Sequence, residues 1–117
     1  MVRIMVTGSR DHGDHDFIFK ALDEVAEGAG TVLLLEGGAP GADHRARQWA
    51  LANGHPFQTF HADWGTYGRA AGPLRNQRMI DEGEPDLVVA FPLEDSRGTW
   101  DAVRRAKAAG IPVEAFV

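Results

Sequence analysis

The sequence contains no cysteine, which excludes a disulfide framework and a thiolate-ligated zinc site. It also has no apolar run near the roughly 18 residues that a membrane-spanning helix needs, and no cationic leader followed by a cleavage site. Those absences predict a soluble, cytoplasmic protein with no membrane partner. Positive charge is in deficit, with 12 Lys and Arg against 17 Asp and Glu and a formal net charge of −5. Broad counterion-release binding to nucleic acid requires a cationic face, so nucleic acid is not the expected partner and any nucleotide contact should be local. No glycine-rich turn ends in Gly-Lys-Ser/Thr, which argues against a P-loop ATPase or kinase. The five histidines include no i,i+4 pair flanking a glutamate, and neither a metal nor a cofactor is expected.

What is present is an alternation. At 117 residues, 44% hydrophobic and 25% charged, the chain is long enough to bury roughly two thirds of its unfolded surface, and residues 1–117 read as a single domain. Apolar runs alternate with helical patterns as β-α-β-α-β-α-β-α-β, which predicts a parallel sheet. Strands are expected at Val2 to Val6, Thr31 to Leu35, Pro56 to Phe60, Leu87 to Phe91 and Pro112 to Phe116. The helix from about Asp16 carries Ile18, Ala21, Leu22, Val25 and Ala26 on one face and stops at Gly28 to Gly30. A second stripe, Ala42, Ala46, Trp49 and Ala50, ends at Asn53-Gly54. Residues 61–72 (HADWGTYGRAAG) show no period and read as a long connection, before a helix from about Pro73 to Glu82. Gly98 is expected to open the last helix, with Thr99 as its cap and Trp100, like Trp49, in the core. A long connection after the third strand suits a chain that returns to the far side of the first. The expected order is therefore 3-2-1-4-5, a Rossmann-like three-layer α/β sandwich with a ligand crevice between strands one and four.

Four polar elements fall just after strands or at helix starts: Thr7-Gly8-Ser9-Arg10, Gly37 to Asp43 (GGAPGAD), Gly72 to Asn76 (GPLRN) and Gly98-Thr99. In an open α/β sheet such positions gather at the carboxyl ends of the strands, where glycine admits a ligand close to the backbone and helix N-termini favour an anion. Gly8, Ser9 and Arg10 offer a tight turn, a hydroxyl and a cation; alternatively Arg10 is simply solvated. Gly37, Gly38 and Gly41 offer N–H groups to an anion, and Asp43 can accept from a ribose hydroxyl or serve only as a helix-start charge. Arg75 can fork onto a phosphate and Asn76 can read an amide or hydroxyl edge. Arg69 and Arg78 add cation density, with Arg78 expected to pair on the surface with Asp81, Glu82 or Glu84. Asp101 reads as a capping acid, a general acid/base or a ribose contact. Trp64, Tyr67 and Phe91 are candidates to stack on a base or to fill the core.

Taken together, Val6 to Arg10, Gly37 to Asp43, Ala62-Asp63-Trp64, Gly68 to Met79 (GRAAGPLRNQRM) and Gly98-Thr99 resemble the YspA/YpsA-related branch of the SLOG superfamily over essentially the whole chain. The resemblance implies a Rossmann-like fold and the binding of nucleotides, nucleotide-derived signals or nucleic acid. More distant relatives are the Lonely Guy phosphoribohydrolases, which cleave the base from a nucleoside monophosphate, and the DNA-processing protein A group, which binds single-stranded DNA. Arg75 and Met79 fall near the first half of the phosphoribohydrolase pattern. Its P-G-G-x-G-T-x-E half is replaced by Asp95 to Asp101 (DSRGTWD), with two glycines missing and an acid one methylene shorter.

The expected function is binding or sensing of a nucleotide or ADP-ribose-like small molecule at Gly8, Ser9, Arg10, Gly37, Gly38, Gly41, Asp43, Arg69, Arg75, Asn76, Gly98 and Thr99. The alternative is an N-glycosidase in which Arg75 orients the phosphate and Asp101 stabilises oxocarbenium-like charge or activates water. A third possibility is a single-stranded nucleic-acid module, against which the net charge counts. Relatives often form dimers, and a homodimer completing the crevice is compatible with these residues.

Overall fold

The computed structural model describes residues 1–117. Its strands β1 (Val2–Gly8), β2 (Val32–Glu36), β3 (Phe57–Thr59), β4 (Leu87–Phe91) and β5 (Val113–Ala115) form one parallel five-stranded sheet in the order β3-β2-β1-β4-β5. This is the order expected from sequence. Ile4 lies level with Leu34 on one side and Leu87 on the other, and Gly8 ends β1 beside Phe91.

Strands covered on both faces need apolar residues at successive positions rather than in alternation, which is why β2 reads Val-Leu-Leu-Leu and β4 Leu-Val-Val-Ala-Phe. Ile4, Val6, Leu34, Val89 and Phe91 face a core completed by Ile18 and Leu22 of α1 (His15–Ala26) and Ala46 and Trp49 of α2 (Ala42–Ala52). Met5, Leu35 and Val88 face the opposite way, onto Met79 and Ile80 of the fourth helix and Ala102 and Ala106 of the fifth. Trp49 Nε1 donates to Asp23 Oδ1 at 2.8 Å and ties α2 to α1. No helix is long and apolar enough to cross a membrane.

Expectations about two segments are corrected. Residues 61–72, read from sequence as a long connection, hold α3 (Trp64–Tyr67), a 3-10 turn (Gly68–Ala70) and the first residues of α4 (Ala71–Gly83), which starts two residues before Pro73. Asp63 accepts from the Thr66 N–H at 3.1 Å, and Gly68 turns the chain at φ 55°. A four-residue helix is too short to display a 3.6-residue period, so the sequence could not announce it.

The last helix, α5 (Arg97–Ala108), has Ser96 at its N-cap, and Thr99 is its third residue, buried rather than capping. Ser96 Oγ accepts from the Leu93 N–H at 2.7 Å and so is turned away from the helix. The buried residues are Thr99, Ala102, Val103 and Ala106. Trp100 stands about 100° round the axis from Thr99, and it is 41% exposed instead of lying in the core. With Ser96 at the cap, Asp101 falls in the second turn, beyond any capping role. Arg78 pairs with Glu82 on the surface at 3.2 Å, one of the partners expected for it.

Candidate functional site

The loops at the carboxyl ends of the strands, with the starts of α4 and α5, enclose a cleft of about 880 Å³ across the β1–β4 switch point. Gly8, Ser9 and Arg10 reach it from the end of β1, and Gly37, Gly38 and Asp43 from the β2–α2 turn. Arg69, Arg75 and Asn76 come from the 3-10 turn and α4, and Gly98, Thr99 and Asp101 from α5. Of the twelve residues expected to bind the ligand, Gly41 alone is not part of the lining. It has φ 79°, and a Cβ there would run into the main chain of Ser9 and Arg10. Gly41 lets the β1–α1 and β2–α2 loops pack together, fastened by the Ala42 N–H to Ser9 carbonyl bond at 3.2 Å. Its role is close backbone approach.

The β2–α2 turn is built differently from an anion cradle. Gly37 and Ala39 donate their N–H groups to Asp43 Oδ2 at 3.1 and 3.3 Å, and Gly38 donates to Glu36 Oε2 at 2.6 Å. Carboxylates of the chain itself therefore hold the donors that a phosphate would need at Gly37 and Gly38, and their charge repels a second anion. Glu36, the last residue of β2, is fully buried. It accepts from Arg47 Nε and Nη2 at 3.3 and 3.0 Å and from the Thr59 hydroxyl, joining α2 to β2 and β3. A buried carboxylate persists only when paired and hydrogen-bonded in this way.

Asp43 is 5% exposed. Burial, reinforced by the neighbouring Glu36 charge, pushes its carboxyl up to about 7, against the opposing pull of Arg75 and of the Ala39 and Gly37 N–H groups. Arg75 donates from Nη1 to the Gly37 carbonyl at 2.6 Å and from Nε to Asn76 Oδ1 at 3.0 Å. Burial lowers the pKa of its guanidinium, while the charges of Asp43 and Glu36 oppose that shift. Asn76, 3% exposed, sends Nδ2 to the Gly98 carbonyl at 3.2 Å and to Asp101 Oδ2 at 3.1 Å. Its amide thus braces α4 against α5 and fixes both Arg75 and Asp101. Burial acts to raise the Asp101 pKa, but hydrogen bonds from Arg105 (2.9 Å) and Asn76 outweigh it. With the charges of Arg105 and Arg104, they hold the carboxyl below its ordinary value.

Thr7 Oγ1, Asp43 Oδ1, Arg75 Nη2 and Thr99 Oγ1, on buried or half-buried residues that line the cleft, have no hydrogen bond inside the chain. No fully buried side-chain nitrogen or oxygen lacks a partner, so each of these atoms keeps some solvent-accessible surface. At the α5 end, Arg97 donates its N–H to Asp95 and Trp100 donates to Ser96, while the Gly98 and Thr99 N–H groups have no partner. Unpaired N–H groups at a helix N-terminus favour negative charge, and Arg97 and Arg104 line the cleft beside them. Trp64, 55% exposed, stands at the other end, its ring against Gly72, where a Cβ would come within 3.2 Å of Cη2. Phe91, by contrast, is wholly buried in the core, and Tyr67 is exposed without lining the cleft.

Sequence reasoning had not singled out Glu36, Arg97, Arg104 or His61, the last three of which line the cleft. Glu36 leaves a trace, an acid closing an otherwise apolar strand. Arg97 adjoins Gly98-Thr99 in the sequence, and Arg104 lies on the same helix, so both were within reach of the motif.

Comparison with known proteins agrees with this architecture. The chain is 40% identical over 123 residues to the Gene 61 protein of Mycobacterium phage D29, covering 99% of this chain and 97% of that one. Among solved structures, DNA processing protein A (DprA) from Streptococcus pneumoniae superposes with a TM-score of 0.74 at 22% identity. That match covers 98% of this chain and 50% of DprA, so the chain spans half of DprA's length. TM1055 superposes with a TM-score of 0.70 at 18% identity, over 97% of this chain and 72% of that one. Both likenesses are likenesses of fold. Residues 2–67 match the model of the YspA, cpYpsA-related SLOG family. With the fold, the cleft and a relative matched end to end, the chain belongs to that family.

Proposed function

We propose that the cleft binds a nucleotide-type small molecule, with its phosphate at the N-terminus of α5. The observation that carries this reading is the convergence of Thr7 Oγ1, Asp43 Oδ1, Arg75 Nη2 and Thr99 Oγ1, unpartnered yet open, on one cleft. A phosphate receives the Gly98 and Thr99 N–H groups, the Thr99 hydroxyl and the Arg97 and Arg104 charges. Arg75 Nη2 adds a donor, and Arg10 and Arg69 supply cations at the rim. Ser9 and Gly8 shape the floor at the end of β1, and Gly37 and Gly38 form the wall that positions Asp43. Of the groups expected from sequence to hold the phosphate, Gly8, Gly37 to Gly41, Arg75 and Thr99, this reading keeps Arg75 and Thr99 and sets aside the β2–α2 turn, whose N–H groups at Gly37, Gly38 and Ala39 already meet Asp43 and Glu36.

A thermal-shift panel of nucleoside monophosphates, diphosphates, ADP-ribose and short single-stranded DNA tests this reading. A ligand at 100 times its dissociation constant adds about 2.7 kcal/mol of stability, a shift of roughly ten degrees or more in a domain of this size. Arg97 is exposed, so Arg97→Ala should fold normally and reduce the shift. Absence of a shift with every nucleotide would contradict the proposal, and a salt-sensitive response to DNA alone would replace it with the single-stranded nucleic-acid reading.

A second reading, hydrolysis of the N-glycosidic bond, is favoured by one observation. Asp43 and Asp101 line the same cleft with pKa values displaced in opposite directions, the pattern that separates acid from ionised carboxylate. In such a reaction water adds to the ribose C1′ as the C1′–N bond breaks and the departing base takes a proton. Asp101 would stabilise the cationic sugar, and Arg75 would orient the phosphate. Asp101→Asn would abolish base release in an enzyme, whereas a pure binder would keep most of its affinity.

A further inference from the structure

We infer that Asp43 Oδ1 accepts a hydrogen bond from the ribose 2′-hydroxyl of the ligand, making Asp43 the residue that selects ribonucleotides over 2′-deoxyribonucleotides and DNA. This rests on the nucleotide reading above and specifies its ligand. Asp43 is 5% exposed, and both of its internal hydrogen bonds fall on Oδ2. In the ionised carboxylate Oδ1 is left as an acceptor in the cleft. The cationic groups nearby do not satisfy it: Arg75 is turned to the Gly37 carbonyl and Asn76, and Arg47 is turned to Glu36. A phosphate cannot sit there, because the fully buried Glu36 adds a second acid beside Asp43. A metal ion is not served either, since no group of three His, Cys, Asp or Glu side chains is arranged to hold one. A neutral hydroxyl or amine donor is what the site lacks.

The order of the strands distinguishes a sugar from a base. Along the sheet edge the cleft runs from the α5 N-terminus after β4, past Thr7 at β1 and Asp43 after β2, to Trp64 after β3. Phosphate, sugar and base follow one another in a nucleotide in that sequence. The sugar then falls on Asp43, and the base on the exposed ring of Trp64, which offers a stacking face. A buried polar group shaped to take a hydroxyl rejects the analogue lacking it, since the group is then left unpaired.

The test compares dissociation constants for AMP and dAMP, and for IMP and dIMP, in wild type, Asp43→Ala and Asp43→Asn, with each variant's melting curve recorded as a check on folding. Wild type should bind each ribonucleotide at least tenfold more tightly than its deoxy form. IMP, which lacks an exocyclic amine, should keep that preference, whereas a base amine on Asp43 would abolish it. Asp43→Ala should bind ribo and deoxy forms alike, and Asp43→Asn, which retains an acceptor, should keep part of the preference. Equal binding of both forms by wild type, or an undiminished preference in Asp43→Ala, would overturn the inference while leaving the nucleotide reading intact. Binding of none of the four would overturn both.

Discussion

Gly37 and Arg75, 38 residues apart, are locked together: Arg75 Nη1 donates to the Gly37 carbonyl at 2.6 Å, and the guanidinium fills the space where a Cβ at position 37 would stand. The contact fastens the β2–α2 turn to α4, so the shape of the cleft depends on it. Arg75→Ala removes this bond and the one to Asn76 and should lower the unfolding free energy by about 2–3 kcal/mol, as for hydrogen bonds from a charged group. Gly37→Ala forces the guanidinium aside and loses the same bonds. In urea denaturation the double variant should therefore be little less stable than either single one. Additive losses would show that the two residues act independently.

The buried Asp43 carboxyl gives stability a distinctive dependence on pH. Its pKa rises from 3.8 to about 7 on folding, so between those values the folded chain binds more protons than the unfolded one. The unfolding free energy then falls as pH rises. The Asp43 contribution is fully present below about pH 4, declines through neutrality and is gone above about pH 8, with a total of about 4 kcal/mol. Asp43→Asn removes this titration and can still accept from the Gly37 and Ala39 N–H groups. Its stability relative to wild type should increase steadily from pH 4 to pH 8. A difference constant with pH would mean that Asp43 titrates near its ordinary value.

Glu36 and Arg47 make a one-sided case. Glu36 is fully buried, and Arg47 supplies its cation at 3.0 Å while lying over the Phe57 ring at 5.4 Å. Arg47→Met keeps much of the apolar stem but strands a buried carboxylate, and should cost about 3–5 kcal/mol. Pairing it with Glu36→Gln should recover a large part of that loss. Failure to recover it would place the cost in the packing of Arg47 instead.

Gly41 and Gly98 separate two uses of glycine. Gly41→Ala places a Cβ against the backbone of Ser9 and Arg10 at φ 79° and should cost more than about 2 kcal/mol. At Gly98 a Cβ meets nothing within 4 Å and φ is unexceptional, so Gly98→Ala should be neutral or up to about 1 kcal/mol stabilising. Melting temperatures decide both. Equal effects would contradict the assignment of Gly41 to loop packing.

The parts of this molecule that follow from periodicity were legible in its sequence. The β-α alternation gave the parallel sheet, and the long interval after β3 pointed to the crossing that sets the strand order. The polar elements after the strands did gather in one cleft. What escaped depends on backbone conformation or on helix phase. Nothing in Gly-Gly-Ala-Pro-Gly-Ala-Asp tells that Asp43 folds back onto the N–H groups of Gly37 and Ala39, because that requires the actual turn. The misplaced core position of Trp100 came from phase: Trp100, Val103 and Ala106 recur at helical spacing, yet the buried stripe begins one residue earlier, at Thr99.

The most direct test of phosphate binding at the α5 N-terminus is the backbone amide NMR spectrum during titration with a nucleoside monophosphate. The Gly98 and Thr99 N–H groups, free in the unliganded chain, should show the largest downfield proton shifts, and Thr99→Val should weaken binding about tenfold or more. Binding that leaves Gly98 and Thr99 unshifted, or that perturbs instead the second, smaller cleft lined by Phe17 and Leu93, would contradict it.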